Sequence, residues 1–370
     1  MPHTPDDDDL DDVDPAPPVY HAERALLGAL LLEPRRLQEA AHLVPEAFST
    51  AEHRALFTAI RSLPAPDPAR HARTTTWLDR VLATARRQAR GLTASHLHGL
   101  VRACPQPRHA PAYARIVQTE HARRTLRAQA QRLAHTATDP TLPDPVHATL
   151  TEADTLTTLI EELSARFPPR PDSPHPIPTP PPTDRNPAHQ EAVEEELLLL
   201  ATTTAHPAEA ERMRWLTPDD FTLPLHAGLW RCLTTMARRH SPIDPVTVLW
   251  EAQQGGLLTS DIEPTEILGL LTEPVGSPSH WGRRILQRAL LTAAHHTGRH
   301  IEAHTKNPAI NPHHLLLASR HSLTNFNSLR VRWNHATSPL TPPSRPTRAP
   351  APPRAGPPCT TPPTTVRIPR

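Results

Sequence analysis

Lysine is almost missing from this chain of 370 residues; Lys306 is the only one. The phosphate-cradling loop of nucleotide-driven motors, G-x-x-x-x-G-K-[ST], places a lysine on the β- and γ-phosphates. Lys306 stands in His304-Thr305-Lys306-Asn307-Pro308 with no glycine before it, so this sequence excludes ATP hydrolysis by that route. Glycine is scarce as well, at 11 residues, and the one adjacent pair, Gly255-Gly256, precedes Leu257-Leu258 and reads as a turn between helices. Aromatics are scarce, at five Phe, two Tyr and six Trp, and few are expected to be exposed, which argues against stacking platforms for single-stranded nucleic acid. Runs of alternating β-branched and aromatic residues are essentially absent, which argues against strands. The three cysteines, Cys104, Cys232 and Cys359, lie far apart with no CxxC. That spacing argues against both a disulfide framework and a zinc site, and fits a reducing compartment. No apolar run approaches membrane-spanning length, and the acidic opening is unlike a signal peptide; a cytoplasmic protein without a membrane partner is expected. With no HExxH and no G-x-S-x-G, no catalytic residue, cofactor or metal is expected either.

Proline, by contrast, is abundant at 48 residues and concentrated in a few stretches. Residues 168–187 read as a polyproline-II-like spacer, extended and semi-rigid. Residues 337–370 have the same character and carry five Arg and no acid, while seven Asp lie within Asp6 to Asp14. Such segments usually remain disordered and solubilising. The net charge of +1 favours neither nucleic acid nor an acidic partner. The expected organisation is an acidic tail over 1–18, a domain over 19–167, the linker over 168–187, a second domain over 188–336 and a basic tail over 337–370.

Both blocks carry helical periodicity. Helices are expected near 22–33, 36–44, 50–63, 74–87, 93–103, 110–136 and 145–166, and again near 190–202, 208–214, 222–239, 245–254, 263–272, 278–305 and 312–334. In each block the last two form a long antiparallel hairpin around a Pro-containing turn, Asp139-Pro140 and Asn307-Pro308. The fold class is therefore all-α: two similar helical-bundle domains, each a small globular bundle plus a long hairpin, with disordered tails. The blocks also repeat each other at an offset of 173 positions. Glu23 pairs with Glu196, Leu26 and Leu27 with Leu199 and Leu200, and Pro34 with Pro207. Leu43, Pro45, Phe48, His53, Leu56 and Phe57 pair with Leu216, Pro218, Phe221, His226, Leu229 and Trp230. An ungapped match that includes the rare aromatics signals a duplication. The core is expected to contain Leu27, Phe48, Leu56, Phe57 and Ile60 in the first copy, and Leu200, Phe221, Leu229 and Trp230 in the second.

Ala22-Glu23-Arg24-Ala25-Leu26-Leu27-Gly28-Ala29-Leu30-Leu31 resembles the opening AE-x-x-LLG-x-LL helix of the amino-terminal domain of DnaB-type replicative helicases. Phe48 to His53 with Leu56, Phe57 and Ile60 is similar to that family's next aromatic helix. Ala112-Tyr113-Ala114-Arg115-Ile116-Val117 resembles the YA-x-IV start of its hairpin, with Arg123-Arg124 where a recurring Arg stands. The second copy keeps Phe221, His226, Leu229 and Trp230, and Ile243-Asp244 with Val248-Leu249 resembles a further motif. It diverges elsewhere: Gly28 becomes Ala201, and Tyr113 finds no clean counterpart near Trp281 to Leu286. The resemblance covers about 21–166 well and 190–334 moderately. It implies a domain that dimerises through its hairpins, builds the collar of a hexameric ring and offers a surface to primase. A non-catalytic interaction module in replication is the expected function, binding a replicative helicase, primase or itself through its hairpins, or pairing its two domains internally. The alternative is a DNA-binding accessory protein using the Arg-rich hairpin and the basic tail over 337–370.

For DNA contact the candidates are Arg115, Arg123, Arg124, Arg127 and Arg132 on the first hairpin helix, weighed against an Arg-rich exposed face in a lysine-poor composition. His296, His300 and His304 share a helix face by spacing, and a solvated face is the plainer reading than a metal site. Asp219-Asp220 and Glu194-Glu195-Glu196 read as first-turn acids meeting a helix dipole. His53 and His226, at matching positions, suggest a structural hydrogen bond.

Overall fold

The computed structural model describes residues 16–168, 190–258 and 263–338. The aspartate-rich opening, the body of the Pro-rich spacer and most of the basic tail, with Cys359, lie outside these residues.

The first copy begins with α1 (Pro18–Leu32), where proline takes the first helical position and its missing N–H goes unneeded. The segment expected as a helix over 36–44 is instead a 3₁₀ stretch over Pro34–Ala40. Next comes α2 (Ala51–Ser62), capped by Thr50, whose side chain accepts the His53 N–H at 3.1 Å. The short α3 (Pro68–His71), which periodicity does not reveal, leads into α4 (Thr76–Ala85) and α5 (Ala94–Arg102). The hairpin is α6 (Ala110–Thr136) and α7 (Pro145–Arg166), both at their expected bounds. The second copy repeats the order with α8 (Gln190–Ala205), α9 (Ala208–Arg212), α10 (Pro224–Arg238), α11 (Pro245–Gln254) and α12 (Pro264–Leu270). Its hairpin is α13 (Pro278–Lys306) and α14 (Pro312–Thr337). Among the described residues there are helices and no strands.

Apolar side chains gather into three cores. One fills the first globular head and contains Leu27, Phe48, Leu56, Phe57 and Ile60, all essentially inaccessible. Another fills the second head around Leu200, Leu229 and Trp230. Phe221, expected in this core, is only partly buried, although it meets Trp230 at a centroid distance of 5.9 Å as Phe48 meets Phe57 at 4.7 Å. The third core belongs to neither head. Leu126, Ala130 and Leu133 of α6 and Leu156 and Ile160 of α7 join Leu290, Ala294 and Ile301 of α13 and Leu316 and Phe326 of α14. The hairpins of the two copies thus bury their apolar faces against each other within one chain.

Gly28 explains one point where the copies differ. A Cβ there would lie 2.2 Å from the Leu100 carbonyl oxygen and 2.9 Å from Cys104 Cβ, so α1 and α5 meet at van der Waals contact of backbone. We expect Gly28→Val to cost roughly 2–3 kcal/mol in a denaturant titration, through overpacking against a carbonyl that has nowhere to go.

Candidate interaction site at the hairpin seam

Each head is fastened by the same buried carboxylate. Glu23 of α1 accepts the Ser49 N–H and the Ser49 hydroxyl, both at 2.8 Å, and pairs with His53 Nδ1 at 2.7 Å. Glu196 of α8 accepts the Thr222 N–H at 2.6 Å and pairs with His226 Nδ1 at 2.8 Å. All three positions shift by 173, and both carboxylates are fully buried. The carboxylate ties the first helix of the head to the start of the aromatic helix. A buried charge is tolerable when hydrogen bonds surround it. Repetition flags the two Glu and the two His, but nothing in a pattern shows that residues 30 apart bond to each other.

The reading of Glu194 to Glu196 as helix-capping acids is corrected here, because α8 starts at Gln190 and they fall in its second turn. Glu195 instead accepts from Arg284 Nε at 2.6 Å, joining α8 to α13. Asp220 does close a capping box with Thr217, and also receives Arg332 from α14, Nη2 to Oδ1 at 2.9 Å.

At the seam, α6 and α13 run side by side. Counting from their first residues, Ala110 and Pro278, they align at an offset of 168 rather than 173. In that register Trp281 is the counterpart of Tyr113, which corrects the impression that none exists. A shortening of five residues between head and hairpin hides the match. Buried positions then coincide: Ala114 with Gly282, Val117 with Ile285, Leu126 with Ala294, Ala130 with Gly298, Leu133 with Ile301. A Cβ on Gly298 would come within 2.5 Å of the Ala130 carbonyl oxygen and 2.9 Å of the Ala134 nitrogen. Gly298 therefore meets its own counterpart, as a residue on the axis of an isologous pair does.

Polar groups lock the crossing. Arg123, buried, donates from Nη1 to the carbonyls of Thr305 (3.2 Å) and Asn307 (2.7 Å) and from Nη2 to that of Ile310 (2.6 Å). It thereby satisfies the orphan carbonyls at the end of α13 and in the turn beyond. Arg127 donates to the Thr305 hydroxyl at 3.0 Å and carbonyl at 2.8 Å, and Gln131 donates to Glu302 at 3.0 Å. The position equivalent to Arg123 in α13 is Leu291, so this clamp belongs to the first copy alone.

These bonds revise the expectation of a phosphate-tracking strip. Arg123 and Arg127 are spent on the second hairpin, Arg124 donates to the Ala47 carbonyl, and Arg132 lies near Gln129 and Glu152. Only Arg115 of the five is exposed with no hydrogen bond or ion pair among the described residues. Periodicity finds the arginines but not which face the partner hairpin takes. Nor do His296, His300 and His304 come together with other ligands. Among the described residues no group of three His, Cys, Asp or Glu is placed to hold a metal ion.

Two half-buried histidines on the hairpins make the fold sensitive to acid. Burial pushes the His121 imidazole below its usual value, with Arg124 adding to the effect and Glu46 opposing it. Burial also lowers His304, helped by His300. A base whose folded value lies below the unfolded 6.5 binds its proton more tightly when unfolded. Their contribution is therefore intact above about pH 6.5 and is lost as the pH falls below it. Thermal melts from pH 8 to pH 5 should show the decline, and His121→Gln with His304→Gln should flatten it.

No helix among the described residues is long and apolar enough to cross a membrane. No curated protein and no solved structure matches the chain. The family described as the DnaB-like helicase N terminal domain matches residues 16–119 and, a second time, residues 188–283. Each match covers one head and the start of its hairpin, and together they span more than half of the sequence. The chain belongs to the DnaB-like helicase N-terminal domain family, as two copies in tandem.

Proposed function

We propose that this protein is a self-paired, non-catalytic interaction module in DNA replication, whose partner is a replicative helicase or primase. The observation that carries the reading is the seam. Two copies of a helicase collar domain bury their hairpins against each other within one chain, so the pairing surface is already filled. An outside partner then meets the heads and the outer hairpin faces. The proposed domains run over 19–167 and 188–336, joined by the Pro-rich segment 168–187. Replication supports the reading through the family, and the missing phosphate-binding lysine supports a role without nucleotide turnover.

The test is binding of the purified full chain to the hexameric helicase and to the primase of the same cell, each immobilised. Saturable retention of either at micromolar concentration is the expected result. Retention of neither, in a preparation whose helical content and cooperative melting are intact, contradicts the proposal.

A further inference from the structure

Where α1, α6 and the tip of the second hairpin meet, the surface opens into a groove of about 730 Å³. Its floor is apolar, with Val19, Ile116 and Phe167, and Ile116 is 47% exposed. Its sides are basic. Arg115, Arg123, Arg127 and Lys306 line it, and Glu120 is the carboxylate among the lining residues. Lys306 is paired with Glu302 at 2.9 Å and Arg123 lies 3.7 Å from Glu120, but Arg127 bonds only to a hydroxyl and a carbonyl, and Arg115 faces solvent. The groove therefore carries cationic charge that its own walls do not neutralise.

Pro17 and Pro18 are among the residues that line this groove. Three residues before Pro17 begins the densest run of negative charge in the sequence, seven aspartates from Asp6 to Asp14, interrupted by Leu10 and Val13. We infer that this acidic segment is the occupant of the groove: its carboxylates meet Arg115 and Arg127, and Leu10 and Val13 cover Ile116 and Val19. The other segment that leaves from the groove, beyond Pro168, carries Arg170 and Arg185 beside Asp172 and Asp184 and has no such complementarity. A tether of a few residues holds the aspartates at an effective concentration on the order of millimolar, so modest affinity suffices for occupancy. This inference is independent of which replication protein the chain binds.

The experiment uses the full chain and a fluorescent peptide of residues 1–15, followed by anisotropy at low salt. In one variant Asp6, Asp7, Asp8, Asp9, Asp11, Asp12 and Asp14 are all changed to Asn, which removes the negative charge of the segment and leaves the groove residues unaltered. The variant should bind the peptide at least about tenfold more tightly than the native chain, and high salt should weaken binding. Adding Arg115→Glu to the variant should cost about tenfold, and adding the surface change Ile116→Asp should do the same with melting unchanged. Equal peptide binding by the native chain and the Asn variant overturns the inference, as does indifference to both groove changes. A single-stranded oligonucleotide that binds the variant through Arg115 and that the peptide fails to displace would assign the groove to nucleic acid instead, and also overturns it.

Discussion

Gly298→Leu will open the seam between the hairpins and destabilise the chain by about 3 kcal/mol or more, the upper range for overpacking. The reason is the identity of the atoms in the way. A side chain at 298 would run into the Ala130 carbonyl oxygen and the Ala134 nitrogen, which are helix backbone and have no rotamer to change. Relief requires α13 to retreat from α6, and that retreat also lengthens the Arg123 bonds to Thr305, Asn307 and Ile310. Denaturant titration should show the lower midpoint, and amide exchange should quicken along α6 and α13 before it does in either head. Gly298→Ala, with one carbon at the same spot, should fall between the native chain and leucine.

The second large effect concerns the buried carboxylates. Glu23→Ala removes the acceptor for the Ser49 N–H, the Ser49 hydroxyl and His53 at one stroke. Leaving such buried donors without partners costs on the order of 3–5 kcal/mol. Glu196→Ala strands the Thr222 N–H and His226 in the same way, and a loss of the same order follows. The two heads have separate apolar cores, so the double variant should lose the sum to within roughly 0.5 kcal/mol. Similar single losses that add would be the energetic signature of one fastening device copied once.

Much of this architecture was legible before any coordinates. Long helices announce themselves through period and punctuation, and proline at the first turn of α7, α11, α13 and α14 set their starts almost to the residue. The duplication was visible because both heads still bury the same rare aromatics in the same order. What was hidden depended on the third dimension or on a break in register. The Trp281 match to Tyr113 was masked by a five-residue shortening, since an ungapped comparison loses everything beyond a deletion. The role of Arg123 was hidden because an arginine that caps a distant carbonyl and one that meets phosphate look alike along a chain. Gly298 carried no local signal at all, because glycine inside a helix is explained only by what crosses it. The acids at 194–196 were misplaced for a smaller reason: in a helix that starts at Gln190, where periodicity also sets it, they are the fifth to seventh residues and fall in the second turn, where Glu195 forms an ion pair instead of a cap.

The central claim is that the two hairpins pair with each other inside a single chain. Its most direct test is to place a specific protease site within residues 175–182, cut the folded full chain there, and measure the mass of the particle that remains at micromolar concentration. The account predicts that the two halves stay together as one particle with one copy of each, and that Gly298→Leu lets them part. Native halves that separate on cutting, or that re-form as pairs of like with like, would contradict it.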